Sequence, residues 1–215
     1  ANNVKTKLFS IISHDLRSPF YSMIGLNNLF KEEVSKTANV ELQKYSSMMS
    51  DSLDKTYNYL NNLLEWSRLQ SNEIKFNPTI FNLTDLVAEV NELLLTQVQH
   101  KKINIKHTLP QQVQIFADKN MMKIVLINLV SNAVKYSNEG SDILISCKKS
   151  DTEVQVLVKD SGVGISENQV KKLFNVEESF STPGTSNEKG TGLGLVLSND
   201  FVEKHNGKID VKSEP

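Results

Sequence analysis

Apolar positions in residues 1–72 recur at helical spacing in two runs. Leu8, Ile12, Leu16, Pro19, Met23, Leu26 and Phe30 form one stripe, and Leu42, Tyr45, Met49, Leu53, Leu60 and Leu63 form another. The polar stretch from Lys31 to Asn39 between them predicts a turn, with Asn39 capping the second helix. An antiparallel helical hairpin follows. One partner helix covers too little of each stripe, so two copies are expected to pair as a four-helix bundle. His14 falls nearly opposite the first stripe, and Arg17, Ser18 and Tyr21 share its outward face. Pro19 removes an N–H, and its ring collides with the carbonyl of Asp15, which predicts a bend there.

The stretch from Gln70 to Pro78 reads as a linker, and the pattern then changes. Phe81 to Gln99 is expected to be helical, with Asn82 or Thr84 near its start. Residues 103–107 and 113–116 alternate as strands. Lys119 to Tyr136 is a predicted helix with Met122, Val125, Leu126, Leu129 and Val130 inward. Residues 143–148 and 154–158 alternate again around a Ser150-Asp151 turn. Gly192 to His205 is the next helix, and Lys208 to Lys212 the last strand. Helices and strands mix without regular βαβ alternation, so the fold class is α+β. A helical hairpin over 1–72 precedes a two-layer α/β sandwich with a mixed sheet over 73–215.

Composition narrows the chemistry. A net charge of −1 gives no bulk field toward nucleic acid. The single cysteine, Cys147, lies in an alternating apolar run and reads as a buried strand thiol. No apolar run approaches the roughly 20 residues that cross a bilayer. The chain starts at Ala1 without a signal-peptide pattern, so it reads as the cytoplasmic piece of a longer protein, with a sensor region upstream, anchored in the inner membrane or not.

Of nine glycines, seven follow Asp160, so phosphate-cradling backbone is to be sought there. In Asp160-Ser161-Gly162-Val163-Gly164, a carboxylate able to accept from an exocyclic amine stands beside glycines that admit a flat base. On the helix before it, Asn128, Asn132 and Lys135 share one face, where two amides and an ammonium suit phosphates and Mg²⁺. Gly190-Thr191-Gly192-Leu193-Gly194 opens a helix whose amides and dipole attract phosphate. Ser179 to Lys189, between Phe174 and Phe180 and that helix, reads as a mobile lid over a ligand. Taken singly, these are a solvated turn, a polar helix face and a surface loop.

In their order they resemble the N, G1 and G2 boxes of sensor histidine kinases of two-component systems, with an F-box-like segment at Leu173-Phe174 to Phe180. His14-Asp15-Leu16-Arg17-Ser18-Pro19 resembles that family's H box. The resemblance implies a HisKA-type dimerisation and phosphoacceptor hairpin followed by an HATPase-type (Bergerat-fold) ATP-binding domain. It makes His14 the phosphoacceptor and Asp15 the general base that draws on Nδ1 while Nε2 attacks the γ-phosphorus of ATP. Asn132 would ligate Mg²⁺, with Asn128 in support. Lys135 would contact phosphate, and Tyr136 would lie by the base or ribose. Asp160 would read the adenine amine, with Gly162 and Gly164 shaping the pocket. Lys189, Gly190, Thr191, Gly192, Leu193 and Gly194 would belong to the lid and helix start. The implied partners are a second copy and a response-regulator receiver domain.

Two departures stand out. Ser18 occupies the place where the family often has Thr or Asn for dephosphorylating the regulator. The chain ends at Ser213-Glu214-Pro215, where the family adds a glycine-bearing turn and a closing strand. Gyrase-, chaperone- and mismatch-repair-type ATPases share the ATP fold, but they carry a water-activating glutamate where this chain has Asn128. They also lack the hairpin histidine, as do related serine kinases. A catalytically dead dimeric scaffold would not need His14, Asp15, Asn132 and Asp160 together. His100, His107 and His205 match no motif and read as structural or surface residues.

Overall fold

The computed structural model describes residues 2–70, 75–175, 182–188 and 192–214; the side chains of residues 2–18, 51, 54, 55, 58, 59 and 61–70 are outside the description. The chain divides into two compact units, Ala1–Lys75 and Phe76–Pro215.

The first unit is a hairpin of α1 (Asn2–Ser35) and α2 (Val40–Gln70). Asn39 caps α2: its Oδ1 accepts from the Leu42 amide at 3.0 Å. Asn27 meets Ser50, and Phe20 meets Tyr57, so advance along α1 is matched by return along α2. The helix α1 continues through Pro19.

Among the described residues the seam between the helices keeps only part of the expected stripes, Leu53 and Leu60. It holds half-buried Phe20, Ile24, Leu53, Tyr57 and Leu60 with buried Asn27, Val34, Ser46 and Ser50. Met23, Leu26 and Phe30 of the first stripe are exposed, as are Leu42, Tyr45 and Met49 of the second. Small and polar side chains let the two backbones approach, and the periodic apolar residues are left on neighbouring faces.

A Cβ added at Gly25 meets no atom within 4 Å. Gly25→Ala is therefore expected to stabilise the hairpin by about 0.5–1 kcal/mol, through the lower entropy of the unfolded chain. The check is an upward shift of the denaturant midpoint. A downward shift would place another chain against this position.

In the second unit, β1 (Thr79–Asn82) pairs antiparallel with β3 (Gln114–Ala117). A separate three-stranded sheet has the order β2 (Asn104–Thr108), β4 (Asp142–Lys149), β5 (Val154–Lys159). Its β2–β4 pair is parallel, with Ile105 opposite Ile143, and its β4–β5 pair is antiparallel, so the sheet is mixed. On β4, Ile143, Ile145 and Cys147 are buried by the two-residue period of a strand. Burial pushes the Cys147 thiol up, with Lys149 opposing weakly, so it stays protonated and inert at neutral pH.

Helices α3 (Leu83–His100) and α4 (Lys119–Tyr136) supply the other layer. Leu86, Val90 and Leu94 of α3 and Leu126, Val130 and Val134 of α4 join the β4 residues in one core. Asn82 caps α3, its side chain accepting from Thr84 N. Asp118 caps α4 through Asn120 N and Met121 N, and its other oxygen accepts from Asn77 N. The short α5 (Glu167–Val170) follows β5, and α6 (Gly194–Lys204) packs on α4 through buried Val196, Leu197 and Phe201.

His205 is structural. Its Nε2 accepts from the Asp118 amide at 2.9 Å, its Nδ1 donates to the Phe201 carbonyl at 2.7 Å, and Phe76 stands edge-on to its ring. It thereby ties the end of α6 to the start of α4.

The expected strand from Lys208 to Lys212 does not form: these residues carry no ladder. Alternation describes side chains only, and a strand also needs a neighbour to complete its hydrogen bonds. Lys208 instead pairs with Asp210 at 2.9 Å, and Ser213 Oγ accepts from Ile165 N at 3.0 Å.

Candidate nucleotide site

The carboxyl end of α4, the turn after β5 and segment 182–188 converge. The Asp160 carboxylate closes the turn after β5, its Oδ1 accepting from Gly162 N at 2.8 Å. This Asx turn places Gly162 against the last carbonyl of α4. A Cβ at Gly162 would stand 2.6 Å from Tyr136 O and 2.9 Å from Tyr136 C, closer than atoms approach. The neighbouring Val163 amide donates to the same Tyr136 carbonyl at 3.3 Å. Gly164 and Gly192 have φ of +65° and +74°, in the left-handed region that favours glycine.

Gly162→Ala is thus expected to force the turn off the helix end. It should cost about 1–3 kcal/mol of stability by overpacking against backbone. The predicted readings are a lowered melting midpoint and at least roughly tenfold weaker nucleotide binding.

Lys135 and Tyr136 stand at the centre of this convergence. The Lys135 ammonium donates to the Tyr136 hydroxyl at 2.8 Å and to the Thr182 carbonyl at 3.1 Å, 4.5 Å from the centroid of the Tyr136 ring. The Tyr136 hydroxyl donates to the same Thr182 carbonyl at 3.3 Å. Segment 182–188, part of the expected lid, folds as a hydrogen-bonded turn over this helix end. Thr185 donates through its amide to Lys135 O at 3.1 Å and through its hydroxyl to Ser137 O at 2.5 Å. Glu188 pairs with buried Lys101 at 2.7 Å. Burial pushes the Glu188 carboxyl up, but the Lys101 ammonium and two backbone hydrogen bonds outweigh it and hold the group below the usual carboxylate range.

Two turns back on α4, the Asn128 amide donates to Gly194 O at 3.0 Å and to Ser198 Oγ at 3.2 Å. It braces α4 against the first turn of α6. Asn132 lies half-buried between Asn128 and Lys135. Gly192, Leu193 and Gly194 lead into α6, with Leu193 at its N-cap. Lys189, Gly190 and Thr191 lie outside the described residues, as do the side chains of His14, Asp15 and Ser18, whose backbone belongs to α1.

Sequence reasoning placed Thr182, Gly184, Thr185 and Glu188 only within the lid stretch, without separate roles, and gave no role to Lys101. Within that stretch, Pro183-Gly184 is a local turn signal.

Among the described residues no group of three or more His, Cys, Asp or Glu stands together to hold a metal. The Asn132 amide oxygen is a hard neutral donor of the kind Mg²⁺ accepts, and Mg²⁺ commonly completes its shell with phosphate oxygens and water. The donor set therefore fits an ion that arrives with phosphates. No described helix is long and apolar enough to cross a membrane.

Residues 4–72 match the His Kinase A (phospho-acceptor) domain, and residues 117–215 match the histidine kinase-, DNA gyrase B- and HSP90-like ATPase family. Hybrid signal transduction histidine kinase C of Dictyostelium discoideum is 31% identical over 97% of this chain, which spans 17% of that relative. The catalytic domain of histidine kinase ThkA is 33% identical at a TM-score of 0.53, over 60% of this chain and 81% of that one. ThkA in complex with the response regulator TrrA matches 97% of this chain and 59% of its own at a TM-score of 0.64 and 24% identity. Full-length ShkA in complex with AMPPNP matches 93% and 41% at a TM-score of 0.71 and 22% identity. With the phospho-acceptor segment and the ATPase-fold segment in this order, the chain belongs to the histidine kinases of two-component signalling.

Proposed function

We propose that this chain is a kinase core that takes the γ-phosphoryl group of ATP onto His14 and passes it to an aspartate of a response-regulator receiver domain. The carrying observation is the convergence of Asp160, Gly162, Lys135 and Tyr136 on one helix end, in a chain whose first helix bears His14-Asp15. Asp15 draws on the Nδ1 proton of His14, and the Nε2 lone pair attacks the γ-phosphorus. The N–P bond forms as the bond to the β–γ bridging oxygen breaks, and that oxygen leaves with ADP. Lys135 offers its ammonium to phosphate, and Asp160 accepts from the adenine amine. Mg²⁺, held on the protein side by Asn132, would neutralise charge on the β- and γ-phosphates. Such transfer depends on positioning and charge neutralisation, which these residues supply.

Hydrolysis as the main outcome is disfavoured. Position 128 carries an amide, its nitrogen committed to Gly194 O and Ser198 Oγ, where the related ATPases need an acid. A second copy is proposed to cover the exposed Met23, Leu26, Phe30, Leu42, Tyr45 and Met49. Ser18 keeps a hydroxyl for regulator dephosphorylation. The AMPPNP and response-regulator complexes of ShkA and ThkA support the choice of nucleotide and partner.

Incubation with γ-labelled ATP and Mg²⁺ tests the reading. The expected product is a labelled chain whose label is lost in acid and kept in base. Steady phosphate release from an unlabelled chain would select an ATPase instead.

A further inference from the structure

We infer that Lys101 is a positioning residue of the nucleotide site, acting through Glu188 to set segment 182–188 against Lys135 and Tyr136. The inference rests on the nucleotide reading above. Lys101 closes the carboxyl end of α3, and only 4% of its surface is exposed. An ammonium has three N–H donors and tolerates burial only when they are used. Here all three are: Val134 O accepts at 2.9 Å, Lys135 O at 2.7 Å and Glu188 Oε1 at 2.7 Å.

The first two acceptors are carbonyls at the end of α4 without an intrahelical partner, where the helix dipole favours a cation. Capping the helix would need no more than these. The third bond reaches another part of the chain and couples α3 and α4 to the segment over the site. Glu188 passes the constraint on. Its Oε2 accepts from Ser186 N at 2.8 Å, and its carbonyl accepts from Gly184 N at 2.8 Å. Gly184 sits so close that a Cβ there would stand 2.6 Å from Lys135 Cγ. Thr182, at the near end of the segment, presents the carbonyl that holds both the Lys135 ammonium and the Tyr136 hydroxyl. Loss of the Lys101–Glu188 bond therefore removes one anchor of the segment, beside those of Thr185, and loosens the acceptor that orients the phosphate-facing lysine.

The test is displacement of a fluorescent ATP analogue by AMP-PNP with Mg²⁺ on the full 215-residue chain, beside a melting curve for each variant. Glu188→Ala and Lys101→Met should each weaken AMP-PNP about tenfold, the scale of one charged hydrogen bond. The double variant should be no worse than about threefold beyond either single, because both remove the same bond. Glu188→Gln, which keeps an acceptor, should recover part of the loss. Unchanged affinity in Glu188→Ala, whatever its melting temperature, would overturn the inference, as would an additive loss in the double variant. If Lys101→Met does not fold, the two Glu188 variants decide. Failure of the unsubstituted chain to bind the analogue would instead sink the nucleotide reading.

Discussion

His14→Gln is expected to leave no phosphoryl label on the chain while AMP-PNP affinity stays within about twofold of the parent. An imidazole nitrogen carries a free lone pair at neutral pH, whereas a carboxamide nitrogen has its pair delocalised into the carbonyl. The substitution therefore removes the nucleophile and little else. Glutamine is at least as good a helix former as histidine, so α1 should persist. Retained nucleotide binding separates loss of the acceptor from loss of fold. Label persisting at the parental level would mean that another side chain accepts the phosphoryl group, and the proposed role of His14 would be wrong.

Asp160→Asn is expected to weaken AMP-PNP binding by about 30- to 1000-fold, the equivalent of roughly 2–4 kcal/mol for a mismatched polar pair in a site built for one partner. Asp160 has two tasks. One oxygen accepts from the Gly162 amide at 2.8 Å, and the proposed second task is to accept from the adenine amine. Asparagine can keep the first bond through its own oxygen, so the turn and the fold should survive. Its NH₂ then faces the adenine amine, donor against donor. The same NH₂ suits the O6 acceptor of guanine, so the ratio of GMP-PNP to AMP-PNP affinity should rise. Parental AMP-PNP affinity in this variant would remove Asp160 from base recognition.

Much of both units is legible in the sequence because their elements carry their own punctuation. Asn39, Asn82 and Asp118 sit at helix starts with side chains that bond the first free amides. The helix expected over Lys119 to Tyr136 has those bounds. The short apolar run on β4 forms its strand because its alternation matches the pleat. The helical hairpin was equally legible, but its inner face only in part. Periodicity reports which residues share a stripe, and the hairpin puts Asn27, Ser46 and Ser50 inside while Met23, Leu26 and Phe30 stay exposed. The strand expected over Lys208 to Lys212 failed for a related reason: its pattern says nothing about whether a partner strand is within reach.

The glycine turns, the polar face of α4 and the histidine on α1 were written in residue types, because each depends on chemistry within a few positions of itself. Contacts across long stretches of chain were not. Nothing near Lys101 announces that its ammonium is buried against the end of α4, 33 and 34 residues on, and paired with Glu188. The identity of Glu188 as the anchor of segment 182–188, the brace from Asn128 to α6 and the tie from His205 to Asp118 exist only once the layers are stacked. Local backbone preferences choose elements over a handful of residues, while a buried ion pair or a shared carbonyl is chosen by which surfaces the packed core brings within about 3 Å.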